Sequence, residues 1–156
     1  MRAAVALVAG LAVLAGGAAQ AGRAAYPGKN GLIAFVRGGD IWTIHADGTG
    51  LTRLTRTAVK EAHPAWSRSG TKLAFDSDGH IFVMDANGSN RVDLTAVEAD
   101  TTFGVCDSDP TWAPNAKQIA FSSITSECSG EAGEIDAMKP DGTGRRSRSP
   151  DWQPLP

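Results

Sequence analysis

Beyond a first longer run, apolar residues in this chain fall in short runs of four to seven, separated by Gly, Asp, Asn and Ser, and nowhere there do they recur at helical spacing over a long window. After a first apolar run ending near Leu14, the runs are Leu32 to Val36, Asp40 to Ala46, Leu51 to Thr55, Leu73 to Asp76, Ile81 to Asp85, Val92 to Thr95 and Ile119 to Ser122. Asp47-Gly48, Asn87-Gly88 and Asp141-Gly142 punctuate them, and such pairs supply the positive φ that a two-residue hairpin turn requires. The pattern predicts β-hairpins throughout. Leu32 to Val36 is apolar without interruption, so it is expected to be buried on both faces.

The runs repeat as a set. Pro-x-Trp occurs at Pro64/Trp66, Pro110/Trp112 and Pro150/Trp152, and an apolar-Ala-Phe strand ends at Phe35, Phe75 and Phe121. Each unit reads as four antiparallel strands: A (Pro-x-Trp, expected over Ala65 to Ser67 and Thr111 to Ala113), B (x-Ala-Phe), C (the following apolar strand) and D (ending Leu-Thr). Units of this length with several short strands cannot bury their own faces without neighbours, which predicts an all-β, partial β-propeller of three four-stranded antiparallel blades. The chain begins with B, C and D and carries an isolated Pro-x-Trp strand at Pro150 to Gln153, read as a C-terminal strand split from the first blade. The third unit is degenerate. Asp136 stands where the others have Trp42 and Phe82, and an acid in that apolar slot needs a partner. After Asp141-Gly142 the chain reads TGRRSRSPDW, so strand D and its following loop are expected to be missing or collapsed.

The segments PAWSRSGTKLAF, PTWAPNAKQIAF and IFVMDANGSNRVDLT resemble the TolB-type propeller repeat, whose consensus runs Pro-x-Trp-Ser-Pro-Asp-Gly, two variable residues, Ile-Ala-Phe, an Ile-aromatic strand, Asp-Gly and Leu-Thr. The similarity spans about residues 30 to 153. It departs at Arg68-Ser69 and Asn115-Ala116 and in the third unit. The resemblance implies a periplasmic or secreted propeller that serves mainly as a protein-binding platform.

Arg2, the apolar run Ala3 to Leu14 and the small-x-small pattern Ala19-Gln20-Ala21 read as a secretory signal, too short to span a bilayer as a helix. Cleavage is expected after Ala21, with cleavage near Ala25 as the variant. The expected organisation is a signal over 1–21, an entry segment over 22–30 and repeats over 31–156. The net charge of −2, with both signs scattered, argues against a nucleic-acid partner.

Candidate chemistry is sparse. His45, His63 and His80 lack the spacing that brings two rings to one metal, and Asp76-x-Asp78-Gly79 and Asp85-x-Asn87-Gly88 do not continue into a calcium loop. Hence no metal and no cofactor is expected. No nucleophile elbow, zincin helix or phosphate loop occurs, and the A strands read AWS, TWA and DWQ, poor in groups that could act at a ring axis. The chain therefore reads as a non-enzymatic module, the alternatives being a propeller-type lyase or hydrolase and a decayed repeat protein without ligand. The candidate binding surface is acidic: Glu98, Asp100, Asp107 and Asp109 on the connection Ala96 to Asp109, and Glu127, Glu131 and Glu134 on the connection Ser123 to Glu134. Arg145, Arg146 and Arg148 read as the remnant of strand D. Three units would turn only part of a circle, so a homodimer completing the ring is one expectation, the alternative being a broken or truncated protein that aggregates or requires another chain.

An exported chain with two cysteines, both assigned to connections on one face of one blade, predicts a disulfide between Cys106 and Cys128. In the loop-entropy account, closing a ring of roughly twenty residues contributes about 3 kcal/mol. Thiol titration of the unfolded, unreduced mature protein should find no free thiol; two free thiols would contradict the pairing.

Overall fold

The computed structural model describes residues 31–96, 106–124 and 133–148. These form eleven strands and no α-helix: β1 (Ile33–Arg37), β2 (Asp40–Ile44), β3 (Thr52–Arg53), β4 (Glu61–Trp66), β5 (Lys72–Ser77), β6 (His80–Asp85), β7 (Val92–Asp93), β8 (Cys106–Trp112), β9 (Ile119–Ile124), β10 (Glu134–Met138) and β11 (Arg146–Arg148). They assemble into three antiparallel meanders, β1-β2-β3, β4-β5-β6-β7 and β8-β9-β10-β11, which are successive blades. The expected strand at Pro150 to Gln153, with Trp152, lies outside the described residues, as do the signal and entry segments. The first blade therefore has three described strands.

The repeat is exact at the level of register. Phe35, Phe75 and Phe121 sit opposite Trp42, Phe82 and Asp136, while Trp66 and Trp112 sit opposite Leu73 and Ile119. Alternate residues of each strand face the two neighbouring blades. One seam is built from Ile41, Leu73, Phe75 and Met84 with Ala34, Leu54, Trp66 and Phe82 packed against them; the next from Ala74, Ile81, Val83, Leu94, Ile119, Phe121 and Met138 with Trp112. Phe75 and Phe82 stack with centroids 5.5 Å apart.

The Leu-Thr ending has a physical role at each seam. Leu54 N–H and Leu94 N–H bond the carbonyls of Ile41 and Ile81, and the hydroxyls of Thr55 and Thr95 accept the N–H of the same two isoleucines at 2.9 and 3.1 Å. This fastens the end of strand D to strand C after the two-residue ladder has stopped. The carbonyls of Leu54 and Leu94 then lie against the turn glycines of the following blades: a Cβ on Gly88 or Gly142 would stand 2.8 Å from them.

Four expectations are corrected. β1 is not buried on both faces: Ile33 is 51% exposed, because among the described residues β1 is the edge of its sheet. The A strands begin earlier than Pro-x-Trp suggests, at Glu61 and Cys106, and Pro64 and Pro110 lie in bulges inside them rather than at their starts. A bulge absorbs the missing N–H because its extra residue is unpaired. Residues Cys106 to Asp109 accordingly belong to β8 and not to a loop. Strand D of the third unit is neither missing nor collapsed, since β11 pairs with β10 through Ile135/Arg148, Asp136/Ser147 and Ala137/Arg146.

The joint at the turn glycines makes a paired prediction. Gly48 and Gly88 have φ of +83° and +86°, but a Cβ on Gly48 would meet nothing within 4 Å. Gly48→Ala should cost about 1 kcal/mol, the strain of a side chain at positive φ. Gly88→Ala should cost clearly more, because the Leu54 carbonyl must also move. Urea midpoints of the two variants compared with the parent check the difference.

Candidate functional site

The innermost strands carry one acid each at equivalent positions, Glu61 three residues before Pro64 and Asp107 three before Pro110. Both are buried, at 1% and 2% exposure. Each meets an arginine from the outermost strand region of its own blade, Arg91 and Arg145, four residues after Asn87 and Asp141. Arg91 Nη1 donates to Glu61 Oε1 at 2.8 Å, and the Thr55 and Thr57 hydroxyls donate to the same carboxylate at 2.6 and 2.7 Å. Arg145 donates through Nη1 and Nη2 to both oxygens of Asp107, each at 2.9 Å, through Nη2 to Ser123 Oγ at 2.7 Å and through Nε to Asp136 Oδ2 at 2.6 Å.

The two sites solve one problem with different side chains. In the second blade the guanidinium of Arg91 lies 4.1 Å from the Phe82 ring centroid and reaches a glutamate. In the third, Asp107 is one methylene shorter than Glu61 and Asp136 replaces the Phe82 ring. Arg145, 5.0 Å from the Phe121 centroid, spans both acids. Asp136 thus has the partner its position demanded, and Arg145 is that partner rather than the residue of a lost strand. Burial pushes the Asp107 carboxyl up, with the nearby Asp136 adding to it, against the opposing pull of Arg145 and Ser123.

The bulges aim a second cluster toward the inner edge. His63 and Asp109 occupy the same bulge position in successive blades, with φ of 47° and 54°. Asp76 Oδ1 lies 2.7 Å from His63 Nδ1 and accepts the Asp109 N–H at 3.2 Å, while His63 Nε2 is 3.3 Å from Asp109 Oδ1. The cluster fastens blade to blade. No group of three or more His, Cys, Asp or Glu side chains among the described residues is arranged to hold a metal ion.

Of the acidic residues expected on the binding face, Glu98, Asp100, Glu127 and Glu131 lie outside the described residues. Asp109 and Glu134 are exposed. Asp107 is a correction: it is inside the blade, bonded to Arg145, so its carboxylate is not on the surface. The starts of β8 and β10 and the end of β9 come together through Asp107/Ser123 and Glu134/Ser123 pairing, at one end of the blade. Cys106 opposes Ile124 at that end; Cys128 lies outside the described residues. The sequence reading missed Glu61, Arg91 and the His63–Asp76–Asp109 cluster. Their signal was the alignment of Glu61 with Asp107 and of Arg91 with Arg145.

Comparison with known proteins gives structural relatives only. No family model matches the chain, and no curated protein matches it. The chain is similar to a putative TolB from Agrobacterium tumefaciens (TM-score 0.58, 22% identity, 69% of this chain and 40% of that one). It is also similar to TolB from Acinetobacter baumannii (0.54, 19%, 70% and 26%) and to an oligogalacturonate lyase solved in complex with manganese (0.53, 13%, 69% and 29%). The chain spans less than half the length of each of these.

Arg145→Ala leaves Asp107 and Asp136 buried without their cation and should cost about 3 to 5 kcal/mol at neutral pH. Burial already pushes the Asp107 carboxyl up, and without the opposing pull of Arg145 it is pushed further. A folded-state pKa raised above the unfolded value contributes stability that is present at acid pH and lost as pH rises through the folded pKa. The deficit relative to the parent should therefore shrink on acidification, as read from denaturation midpoints across pH. A deficit independent of pH would contradict the assignment. The shared likeness is one of fold: this chain is built as a β-propeller.

Proposed function

We propose that the chain is an exported, non-enzymatic β-propeller interaction module that binds a protein or envelope component through the loop face at the starts of β8 and β10. The observation that supports this reading is that the strand ends flanking the two long connections, Cys106, Ile124 and Glu134, stand together at one end of the third blade, with Glu134 and the nearby Asp109 exposed. Glu98, Asp100, Glu127 and Glu131 belong to those connections and would make the face acidic. Loops held by a rigid sheet are where recognition residues concentrate. The buried acids do not join them, because Glu61 and Asp107 are each taken up by an arginine. A disulfide between Cys106 and Cys128 would brace the face; Cys106 stands at its base, and no cysteine is free among the described residues. Export through a signal over 1–21 supplies the oxidising compartment.

A second copy completing the ring is part of the same reading. Gly48 has no neighbour within 4 Å of a Cβ where Gly88 and Gly142 meet the preceding blade, and Ile135 is half-buried where Ile41 and Ile81 are fully covered by the following one. The two ends of the stack therefore present the two halves of one seam.

The test uses the secreted or periplasmic fraction of the parent organism, crosslinked and recovered with the mature protein. Charge reversal at Asp109, Glu127 and Glu134 should abolish recovery of the main partner, and reversal of Lys117 and Lys139 at the opposite end should not. Equal recovery with both variants would refute the loop face. A lyase or hydrolase activity of the purified protein would refute the non-enzymatic part.

A further inference from the structure

At the end of each blade away from the starts of β8 and β10, the turn between strands A and B lies beside the turn between C and D. In the second blade the two turns are closed onto each other and neutral. Ala86 N–H bonds the Thr71 carbonyl at 2.9 Å, and Asp85 accepts from Lys72 Nζ at 2.9 Å and from Asn90 Nδ2 at 2.7 Å. The register that aligns Leu73 with Ile119 and Met84 with Met138 puts Lys117, Gln118, Lys139, Pro140 and Gly144 of the third blade at the positions of Thr71, Lys72, Asp85, Ala86 and Asn90. These five differences act in concert. Pro140 has no N–H with which to bond the Lys117 carbonyl, so the link that closes the second blade's turns is removed. The acid has become a lysine, and the two groups that bound it have become an uncharged amide and a glycine without a side chain.

Between the two turns of the third blade lies a cleft of about 730 Å³ lined by Asn115, Lys117, Gln118, Lys139, Pro140 and Asp141. That is within the range of about 300 to 1,000 Å³ usual for ligand sites. Its charge is one-sided. Lys117 and Lys139 are exposed, and among the described residues neither forms an ion pair. Asp141, the acid in the lining, is turned to its own loop: Oδ1 accepts the Thr143 N–H at 2.9 Å and the Thr143 hydroxyl at 2.8 Å, and these bonds hold its carboxyl below the usual range. Arg68, from the A–B turn of the second blade, adds a cation at the rim, its Nη1 donating to the Pro114 carbonyl at 3.1 Å, beside Asn115.

We propose that this cleft binds an acidic peptide segment of a partner protein, with Lys117 and Lys139 pairing with its carboxylates, Arg68 at the rim and the Gln118 carboxamide donating to the peptide. Charge complementarity names the occupant. A small anion such as phosphate is favoured where several backbone N–H groups converge on one point, and here those groups are spent: Lys117 N–H on Asn115 Oδ1 at 2.9 Å, Thr143 N–H on Asp141, and Lys139 and Gly142 N–H on carbonyls of their own turn. What the cleft offers instead is cations carried on three separate turns, with an amide and the ring of Pro140 between them, an arrangement suited to carboxylates spaced along a chain. The site is distinct from the loop face at the other end of the blade and stands whether or not that face holds a partner.

The test is fluorescence anisotropy of a labelled hexaglutamate peptide titrated with the chain from Gly22 to Pro156 at low ionic strength. Saturable binding that weakens with added salt is expected. Lys117→Ala combined with Lys139→Ala should weaken it about tenfold, while Lys60→Ala, which removes an exposed lysine beside Gly39 at the other end, should leave it within about twofold. Gln118→Lys combined with Lys139→Asp rebuilds the ion pair of the second blade and should weaken binding as much as the double alanine does, although a lysine remains in the cleft. Charge reversal at Asp109 and Glu134 should not weaken it, so failure of the loop face and failure of the cleft are read separately. No binding by the parent chain overturns the proposal, and so do equal losses for Lys60→Ala and the double alanine. If inorganic phosphate displaces the peptide as well as unlabelled peptide does at equal concentration, the cleft is a small-anion site and the peptide assignment is refuted. Should the variants lose their fold, carbodiimide coupling of the peptide to the parent chain decides: coupling at Lys117 or Lys139 supports the cleft, and coupling elsewhere refutes it.

Discussion

Everything in this protein depends on the covering of sheets that are apolar on both faces. A blade of three or four short strands has no core of its own, and Phe75 or Phe121 becomes fully buried only because the preceding blade closes over it. The apolar contact gives the attraction, while the polar joints fix the angle. At each seam the Thr hydroxyl ties strand D to strand C, the Leu carbonyl meets a turn glycine that has no room for a side chain, and the N–H of the acid near the start of the next inner strand bonds a carbonyl of the preceding turn, Glu61 to Gly39 and Asp107 to Gly79, each at 2.8 Å. These bonds have direction and so set register, which hydrophobic contact alone does not.

The buried ion pairs follow from that geometry. An acid near the start of the inner strand sits where two blades and a turn converge, out of reach of water, and would be costly without a cation. Both blades with a described inner strand supply an arginine from the same place in the repeat. The third blade goes further, exchanging an aromatic ring for Asp136 and gaining a guanidinium shared between two carboxylates. What looks like decay in its sequence is a different way of filling the same space. The first blade has Leu51, 46% exposed, where the other two have Arg91 and Arg145, so the arginine is absent from that blade.

Most of the architecture was legible because it is encoded locally. Apolar alternation and Asp/Asn-Gly turns mark strands B and C and their hairpins, and the recurrence of Phe35, Phe75 and Phe121 fixes their equivalence. The inner strands were legible only at their Pro-x-Trp ends. Glu61-Ala62-His63 and Cys106-Asp107-Ser108-Asp109 have no strand-like pattern, since a bulge breaks the alternation and the buried side chain there is an acid. Strand β11 was hidden for a related reason: three arginines in four residues read as the remnant of a strand until Arg145 is seen to bond Asp107, 38 residues earlier in the chain. The same long-range pairing removed Asp107 from the acidic face, whereas Asp109 and Glu134, at a bulge and at a strand start, are exposed.

The central claim is that these blades are stable by stacking on one another, and the proposed second copy on the two outermost faces follows from it. The most direct test is light scattering of the chain from Gly22 to Pro156 across a concentration series with denaturation followed in parallel. The account predicts a discrete dimer whose unfolding midpoint rises with concentration, because folding and association are then coupled. A monomer that unfolds cooperatively at a midpoint independent of concentration would contradict it.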